Sequence, residues 1–248
     1  MINKVIILAG GKGTRISEES KVKPKPMVLI GEDPIIEHIM NIYNKFGDFE
    51  FLVACGYKQE VIKEYFQEKY DPDSRDGNKF RIKENSYITL IDTGLESMTG
   101  YRIKQILEKY EDENFHLTYG DGLAPVDINQ LTDFHFKKGK LATVTAVRPP
   151  SRFGLLKIEN EQVTQFGEKK QTLEGWINGG FFCINRGVLD YLNGDINEPW
   201  ESRPLENLAK DNELSAFLHK DFWQPMDTMR EKEMLDNLWK TGEAPWVK

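Results

Sequence analysis

Residues Lys4 to Arg15 read K-V-I-I-L-A-G-G-K-G-T-R, and they give the clearest indication of the fold. The apolar run Val5 to Leu8 predicts a short buried β-strand. The strand leads into three glycines within four residues, at positions 10, 11 and 13. Glycine permits backbone conformations that a Cβ forbids, and consecutive N–H groups in such a turn form an anion-binding cradle. The sequence therefore predicts a polyphosphate site at the carboxyl end of the first strand.

Positive charge surrounds this turn. Lys12 and Arg15 lie in it, and the segment K-P-K-P-M, Lys23 to Met27, follows it. The two prolines restrict the backbone on both sides of Lys25, which suits a lysine held in a fixed place. Two better-known phosphate loops are excluded, because G-x-G-x-x-G fails at Ile16 and the Walker A pattern is absent. The alternative is a glycine-rich surface turn with scattered lysines.

The composition argues against several classes of protein. The 248 residues suffice for one large α/β domain or two small ones. The net charge of −7 argues against nucleic acid or an anionic membrane as a partner, so local basic residues would serve a small anionic substrate. Cys55 and Cys183 lie in apolar runs and are predicted to be small buried hydrophobic residues. The sequence shows no signal peptide and no apolar run of membrane-spanning length, so we expect a cytoplasmic protein with no membrane partner.

Strands and helices alternate over the first 140 residues. Buried strands are predicted at Val5 to Leu8, Phe51 to Cys55, Ile88 to Ile91 and Phe115 to Tyr119. Amphipathic helices are predicted from Pro34 to about Gly47, from Val61 to Tyr70, and from Thr99 onwards. Thr99 can cap this third helix. This alternation indicates a doubly wound parallel sheet. Ligands of such sheets bind beyond the carboxyl ends of the strands, where the glycine turn would lie.

The pattern changes after about residue 140. Strands are predicted at Ala142 to Val147, Phe153 to Ile158, Val163 to Phe166 and Trp176 to Ile184, before a helix at Met229 to Trp239. This half would extend the sheet or fold over it as the second side of a cleft. We therefore expect an α/β fold with a mostly parallel sheet and a smaller antiparallel extension. We expect one domain, 1–248, in two halves, 1–140 and 141–248.

Two aspartates are candidate metal ligands. Asp121 lies between two glycines directly after a predicted strand, so its carboxylate would be exposed at the strand end. Mg²⁺ usually takes one or two protein carboxylates together with substrate phosphates. Asp227, in F-W-Q-P-M-D-T, is the candidate second ligand. The alternatives are a simple turn at Asp121 and a helix cap at Asp227 or Thr228.

Other polar residues give weaker signals. The four histidines, at positions 38, 116, 135 and 219, show no ligand spacing and are expected to be structural, and G-x-S-x-G is absent. The run Asn178-Gly179-Gly180 inside an apolar strand predicts that a ligand approaches the backbone closely, with Asn178 as donor and acceptor. Trp223 would belong either to the core or to the wall of a sugar pocket.

Several motifs together resemble one enzyme family. The segments L-A-G-G-K-G-T-R and K-P-K-P-M resemble the signature of the sugar-1-phosphate nucleotidylyltransferases. Further matches are D-T-G-L-E-S-M-T-G-Y-R (Asp92 to Arg102), T-Y-G-D-G (Thr118 to Gly122), R-F-G (Arg152 to Gly154), I-N-G-G-F-F (Ile177 to Phe182) and F-W-Q-P-M-D-T (Phe222 to Thr228). The resemblance runs over essentially the whole chain. The first motif is shared by the whole family, whereas S-M-T-G and W-Q-P-M-D-T are more specific to its cytidylyl branch.

The resemblance implies a reaction. CMP would be transferred from CTP to the phosphate of glucose 1-phosphate, with release of pyrophosphate, and the product, CDP-glucose, would feed dideoxysugar synthesis for surface polysaccharides such as O-antigen. It also implies a Rossmann-like fold, Mg²⁺ dependence and a homo-oligomer. The half 1–140 would bind the nucleotide, and the half 141–248, with the C-terminal helices, would bind the sugar phosphate.

The resemblance also assigns residues. The catalytic basic residues would be Arg15 and Lys25, and the metal ligands Asp121 and Asp227. The nucleotide site would comprise Leu8, Ala9, Gly10, Gly11, Lys12, Gly13, Thr14, Ser97, Arg102 and Gly120. The sugar phosphate would meet Glu168, Lys169, Asn178 and Gly179.

The chain departs from the family pattern at three places. Lys170 replaces the proline of F-x-E-K-P, Tyr101 replaces the second glycine of S-M-T-G-G-R, and the stretch from Tyr70 to Ser86 is shorter than in the family, where an insertion helps to build oligomer contacts. The first and last departures bear on the identity of the acceptor and on assembly. The residues assigned to the metal and the triphosphate are intact.

The reaction suits these residues. Attack of an anionic sugar phosphate on a triphosphate first meets charge repulsion, which Mg²⁺, Arg15 and Lys25 would screen. Catalysis would then consist mainly of positioning and electrostatic stabilisation, in an in-line displacement. The nucleophile is already an oxyanion and requires no general base. Two alternatives stay open: the same cytidylyl transfer to another phosphorylated acceptor, and a catalytically inactive regulatory subunit of this fold.

Overall fold

The structure, a computed structural model, describes residues 2–13, 23–75, 77–149, 155–159, 162–167 and 175–247. Its helices are α1 (Ile35–Asn44), α2 (Gln59–Lys69), α3 (Thr99–Lys109), α4 (Ile128–Lys138), α5 (Arg203–Lys210) and α6 (Met229–Lys240), with 3₁₀ turns at Lys25–Met27 and Arg186–Tyr191. Its strands are β1 (Lys4–Leu8), β2 (Leu29–Ile30), β3 (Asp33–Pro34), β4 (Glu50–Cys55), β5 (Lys79–Lys83), β6 (Ser86–Asp92), β7 (Asn114–Tyr119), β8 (Gly122–Leu123), β9 (Ala142–Val147), β10 (Leu155–Glu159), β11 (Gln162–Gly167), β12 (Ile177–Asn185), β13 (Leu214–Leu218) and β14 (Gln224–Pro225).

An eight-stranded sheet forms the centre of the fold, in the order β13-β9-β12-β7-β1-β4-β6-β5. Strands β7, β1, β4 and β6 run parallel to one another, as do β9 and β13. Strand β12 is antiparallel to both of its neighbours, and β5 is antiparallel to β6. Strands β10 and β11 form a separate antiparallel hairpin. The predicted α/β class, with a mostly parallel sheet and a smaller antiparallel part, is confirmed.

Apolar side chains alternate between the two faces of this sheet. Val5 and Ile7 of β1 belong to one buried cluster, which includes residues of α1. Ile6 and Leu8 belong to the opposite cluster, which includes residues of α3. Successive side chains of a strand point to opposite faces, so a strand covered on both sides becomes a continuous apolar run. The ends of the central strands are therefore the natural place for polar residues.

Some elements differ from the expectations. The sequence pattern does not predict β5, β13 or α5. Strand β5 lies within the stretch 70–86, which contains a strand at the edge of the sheet in addition to its turns. Thr99 does not cap α3, because the N-cap residue is Met98 and no side chain caps it. The Thr99 hydroxyl instead contacts residues 200 and 201, a long-range partner that local pattern could not reveal.

The C-terminal part of the chain returns to the strand ends of the N-terminal half. Strand β14 pairs with β8, which begins directly after Asp121. The N–H of Met226 donates to the carbonyl of Asp121 at 2.8 Å, and α6 starts two residues beyond Asp227. Among the described residues, no helix combines the length and the apolar character that crossing a membrane requires.

Candidate active site

A cavity of about 660 Å³ opens at the carboxyl ends of β1 and β7. The predicted site residues that line it are Leu8, Ala9, Gly10, Gly11, Gly13, Lys25, Ser97, Arg102, Gly120, Asp121, Asn178, Gly179 and Asp227. They come from segments spread over most of the sequence. The crossovers of the parallel sheet and the returning tail bring them together at one edge, as ligand sites of open α/β sheets require.

Not every predicted residue takes part in this lining. Thr14, Arg15, Glu168 and Lys169, and the atypical Lys170, lie outside the described residues. Lys12 is described but does not line the cavity. Its Nζ lies 2.9 Å from a carboxylate oxygen of Glu96, in an exposed ion pair beside the glycine turn. Such pairs contribute little to stability.

Lys25 lies in a buried 3₁₀ turn between Pro24 and Pro26. Its Nζ lies 2.5 Å from Oδ2 of Asp121 and 2.6 Å from Oδ1 of Asp227. Burial alone would lower the pKa of Lys25, but the two carboxylates, Asp121 ahead of Asp227, outweigh burial and raise that pKa above its ordinary value. The lysine is therefore held in its charged form inside the cavity.

The start of α6 fixes the position of Asp227. Thr228 is the N-cap residue, and its Oγ1 accepts a hydrogen bond from the N–H of Glu231 at 3.3 Å. The Glu231 carboxylate accepts in return from the N–H groups of Asp227 and Thr228, at 2.8 and 2.9 Å. This is a capping box. The helix-cap interpretation is thus correct for Thr228, whereas the carboxylate of Asp227 is directed at Lys25.

The two aspartates fit a divalent cation. One oxygen of Asp121 and one of Asp227 contact the same Lys25 nitrogen, so the two carboxylates converge on one point. Carboxylate oxygen is the donor that Mg²⁺ prefers, and two carboxylates with substrate phosphates form a common Mg²⁺ ligand set. The part of the chain that the structure describes contains no group of three or more side chains able to hold a metal. A cation at this point would therefore take its other ligands from substrate or water.

Arg102 is buried beneath the glycine turn. Its guanidinium donates to the carbonyls of Gly10 and Cys55, at 3.0 and 2.8 Å, and to Oγ1 of Thr93 at 2.5 Å. These three acceptors lie at or just after the ends of β1, β4 and β6, so one side chain connects three neighbouring strand ends. Burial lowers the pKa of Arg102, but an arginine stays charged at neutral pH. The contacts indicate a positioning role, and a direct contact with nucleotide stays a prediction.

The first two glycines of the turn have different surroundings. A Cβ on Gly10 would collide with the guanidinium of Arg102, whereas a Cβ on Gly11 would meet no atom of the described residues within 4 Å. Gly10 is therefore required by the packing of the protein itself, and Gly11 leaves open space above the turn. Ser97 lies at the same cavity, with its hydroxyl donating to the Thr93 carbonyl at 2.5 Å.

Packing within the protein constrains Gly179 of β12, and the approach of a ligand to this segment stays a prediction. A Cβ on Gly179 would lie 2.7 Å from Cγ1 of Val147 and 2.8 Å from the carbonyl oxygen of Thr145. The pairing of β12 with β9 shifts register after Asn178, as at a β-bulge. Close approach of the neighbouring strand therefore accounts for Gly179, although its cavity-lining position is as predicted. Trp223 also lines the cavity, and its Nε1 donates to the Gly179 carbonyl at 2.8 Å.

Sequence reasoning missed a polar group on this wall of the cavity. The hydroxyl of Tyr119 accepts a hydrogen bond from Nδ2 of Asn178 at 3.0 Å, and Glu201 accepts one from Oγ1 of Thr99 at 2.7 Å. Membership in T-Y-G-D-G and S-M-T-G was an available signal for Tyr119 and Thr99. Glu201 follows a buried tryptophan in a turn before α5, and no motif marks it.

The histidines and cysteines have structural surroundings, as predicted. Cys55 and Cys183 are buried and free. Nδ1 of His116 lies 3.3 Å from Sγ of Cys183, and burial lowers the pKa of His116 to about 3 and raises that of the Cys183 thiol. His38, His135 and His219 are hydrogen-bonded to a carbonyl or a hydroxyl within the fold. The four histidines and two cysteines do not line the cavity.

Similarity to known proteins identifies the family of this chain. Residues 4–227 match the family model described as nucleotidyl transferase. The chain belongs to the nucleotidyl transferase family. This nucleotidyl transferase is 49% identical to a glucose-1-phosphate cytidylyltransferase of Salmonella typhi, over 98% of both chains. It is 41% identical to a probable glucose-1-phosphate cytidylyltransferase of Bacillus subtilis, again over 98% of both chains. The family resemblance of the motifs is thereby confirmed.

Solved structures share the fold of this nucleotidyl transferase. A UDP-glucose pyrophosphorylase complexed with UDP-glucose matches 98% of this chain and 100% of its own, with a TM-score of 0.72 and 18% identity. HddC from Yersinia pseudotuberculosis matches 96% of this chain and 100% of its own, with a TM-score of 0.71 and 23% identity. These similarities support the Rossmann-like arrangement of the sheet.

Proposed function

We propose that this nucleotidyl transferase transfers CMP from CTP to the phosphate of α-D-glucose 1-phosphate, forming CDP-glucose and releasing pyrophosphate. The observation that carries the proposal is the 49% identity with the Salmonella typhi glucose-1-phosphate cytidylyltransferase over 98% of both chains. The product would enter dideoxysugar synthesis for surface polysaccharides, as the motifs predict.

The triphosphate is proposed to bind over the glycine turn, next to Lys25. Gly11 leaves open space there, and Lys25 brings a positive charge to the same cavity. As the sugar-phosphate oxygen bonds to the α-phosphorus and the bond to the leaving pyrophosphate breaks, the Lys25 ammonium would stabilise negative charge on the phosphate oxygens. Arg15 is proposed to act with it, from the segment that follows Gly13. Arg102 would act indirectly, by holding the Gly10 carbonyl.

Mg²⁺ is the proposed metal, with Asp121 and Asp227 as its protein ligands. When bound, it would neutralise charge on the phosphate oxygens and help to orient the triphosphate. In the structure, Lys25 forms ion pairs with the same two carboxylates. With Mg²⁺ held by Asp121 and Asp227, the Lys25 ammonium would be available to a phosphate oxygen of the nucleotide.

The acceptor is proposed to bind on the wall formed by β12, where Asn178 and Gly179 lie, together with Glu168 and Lys169, which follow β11 in the sequence. The attacking phosphate oxygen of a sugar 1-phosphate is already anionic, so no general base is needed. Among the described cavity-lining residues there is no histidine, which suits chemistry driven by positioning and electrostatics.

The proposal is tested by a matrix of nucleotides and acceptors. Purified protein with Mg²⁺ is incubated with CTP, UTP, GTP, dTTP or ATP, each combined with glucose 1-phosphate or another sugar 1-phosphate, and pyrophosphate release is measured. We expect the highest kcat/KM for CTP with glucose 1-phosphate. Higher kcat/KM with another acceptor would favour the same cytidylyl transfer to that acceptor, and no turnover with any pair would favour the regulatory-subunit alternative.

The assembly is part of the same proposal. We expect a homo-oligomer, measured as mass by light scattering at several protein concentrations. A monomeric mass at every concentration would contradict this expectation. The cytoplasmic location stays a prediction that cell fractionation would check.

A further inference from the structure

We propose that Glu201 recognises hydroxyl groups of the acceptor sugar, and that residues 97–100, the S-M-T-G segment, serve to hold it in place. The proposal rests on the proposed function, since it concerns the acceptor side of the same cavity. Glu201 lines this cavity together with Tyr119, Asn178 and Trp223. Neither the motifs nor the sequence pattern assigns it a role.

The segment that carries Glu201 is docked onto the start of α3 by backbone hydrogen bonds. The N–H of Met98 donates to the Ile196 carbonyl at 2.8 Å, and the N–H of Gly100 donates to the Glu198 carbonyl at 3.0 Å. A Cβ on Gly100 would lie 2.7 Å from the same Glu198 oxygen. Position 100 must therefore be glycine for the two segments to approach this closely.

Trp200 and Thr99 then fix the position of Glu201. The Trp200 side chain is fully buried and packs edge-to-face on Phe182 of β12, with ring centroids 6.1 Å apart. Thr99 Oγ1 accepts a hydrogen bond from the Trp200 N–H at 2.8 Å and donates one to Glu201 at 2.7 Å. The carboxylate is thus held by a single hydroxyl whose other partner is the backbone beside it.

Because the described charges around the cavity do not pair with Glu201, its carboxylate can accept hydrogen bonds from neutral donors. Asp121 and Asp227 pair with Lys25, whereas Glu201 forms no ion pair with any residue that the structure describes. An unpaired carboxylate repels phosphates and attracts hydroxyl donors. An ionised carboxylate offers about four acceptor positions, and Thr99 occupies one of them.

Tyr119 connects Glu201 to the acceptor wall. Its hydroxyl accepts from Asn178 at 3.0 Å, which leaves its own proton free to be donated. Burial, together with the negative charge of nearby Glu201, raises the pKa of Tyr119 well above its ordinary value, so the phenol stays protonated. Asn178, Tyr119 and Glu201 therefore form one row of neighbouring polar groups along the cavity. Because Asn178 lies on the wall proposed for the acceptor, we assign the row to the sugar rather than to the ribose of CTP.

The test compares Glu201→Ala and Glu201→Gln with the wild type, using glucose 1-phosphate and its 2-, 3-, 4- and 6-deoxy derivatives. We expect the KM for glucose 1-phosphate to rise about 10- to 100-fold in Glu201→Ala, the range for losing hydrogen bonds to a charged group, with the KM for CTP changed less than about threefold. For the derivative that lacks the recognised hydroxyl, the wild type and Glu201→Ala should have the same KM within about threefold, because the partner is already missing.

Controls separate this role from a general structural one. Glu206→Gln alters an exposed glutamate five residues further along, on α5, and should leave both KM values unchanged. Thr99→Val should raise the KM for the sugar phosphate by part of the increase seen in Glu201→Ala. Thr99→Ser, which keeps the hydroxyl, should have the wild-type KM. Thermal denaturation verifies that each variant is folded, and if Glu201→Ala is not folded, the comparison is made with Glu201→Gln.

The possible outcomes are distinct. An unchanged sugar KM in the Glu201 variants, or an equal loss for every deoxy derivative, would overturn the proposal. A loss that disappears with 2′-deoxyCTP would overturn it in favour of ribose recognition. If the wild type prefers another sugar 1-phosphate, the proposed acceptor is wrong, but the same comparison with deoxy forms of that sugar still tests Glu201.

Discussion

The Nζ of Lys25 lies 2.5 Å from Oδ2 of Asp121, although the two residues are 96 positions apart in the sequence. The same nitrogen contacts Asp227 at 2.6 Å. A lysine thus lies at the point where the two carboxylates proposed as metal ligands converge. Because two carboxylates that converge on one point repel each other, the charge of Lys25 contributes to the stability of this site.

Removal of the Lys25 charge should affect both stability and turnover. In Lys25→Met the ammonium that contacts both aspartates is lost, so we expect a lower Tm than in the wild type in EDTA, and a larger increase in Tm when Mg²⁺ is added. Turnover should fall at least about 100-fold, the size of effect seen when a charge-stabilising group is lost. Thermal denaturation and pyrophosphate release measure the two effects.

Lys12→Met is the matched control for this lysine. Lys12 forms an exposed ion pair with Glu96 outside the cavity lining, and its removal should leave the Tm within about 1 °C of the wild type and the Mg²⁺ response unchanged. Turnover near the wild-type value in Lys25→Met would show that the Lys25 assignment is wrong.

The aspartates should determine metal binding. Asp121→Asn and Asp227→Asn should abolish the Mg²⁺-dependent increase in Tm and reduce turnover by about 100-fold or more, because an amide oxygen carries no net charge to offset that of Mg²⁺. The exposed Asp133 of α4 supplies the control, Asp133→Asn, which should keep both properties. An undiminished Mg²⁺ response in both site variants would place the metal elsewhere.

The substitutions Gly10→Ala and Gly11→Ala should have different effects on stability and on the KM for CTP. Gly10→Ala forces the new Cβ against the buried Arg102, so we expect a loss of about 1–3 kcal/mol in the free energy of unfolding. Gly11→Ala meets open space and should leave that free energy within about 0.5 kcal/mol. Its KM for CTP should nevertheless rise, because the methyl group occupies the space proposed for phosphate.

Urea denaturation and steady-state kinetics measure the two glycine effects. In the Arg102→Met background, the Gly10→Ala loss should shrink, because the fixed guanidinium is no longer there. Equal loss of stability in Gly10→Ala and Gly11→Ala would contradict the conclusion that Gly10 packs against the protein whereas Gly11 borders the space proposed for phosphate.

The free energy of unfolding should fall in mild acid because His116 is buried in its neutral form. Burial lowers the pKa of His116 from about 6.5 to about 3, so below pH 6.5 the unfolded chain takes up a proton that the folded protein does not. The free energy of unfolding therefore falls as the pH drops from about 6.5 towards 3, by at most about 1.4 kcal/mol per pH unit for one such group. Burial also lowers the pKa values of His38 and His135, which adds in the same direction.

Urea midpoints between pH 7 and pH 4 measure this dependence. His116→Gln should make the pH profile shallower than that of the wild type. A pH-independent stability of the wild type over this range would contradict the assignment of a neutral, buried His116.

Much of the fold follows from local pattern. The apolar runs at β1, β4, β6 and β7 are visible because both faces of those strands are buried, and the glycines and polar residues that follow them mark strand ends at which ligands bind. Strands β5 and β13 are not predicted, because each lies at an edge of the sheet and is only partly buried. Edge strands lack the continuous apolar run of a central strand.

Local sequence is enough to predict the alternation of strands and helices, the glycine turn before Thr14, and the residue types that a phosphate-transfer site requires. These features depend on burial, backbone freedom and charge, which are properties of short segments. The meeting of Lys25 with Asp121 and Asp227, the buried Arg102 beneath Gly10, and the contact of Thr99 with Glu201 were decided only by the tertiary structure. Each depends on hydrogen bonds between segments that only the crossovers of the sheet and the returning tail bring within reach.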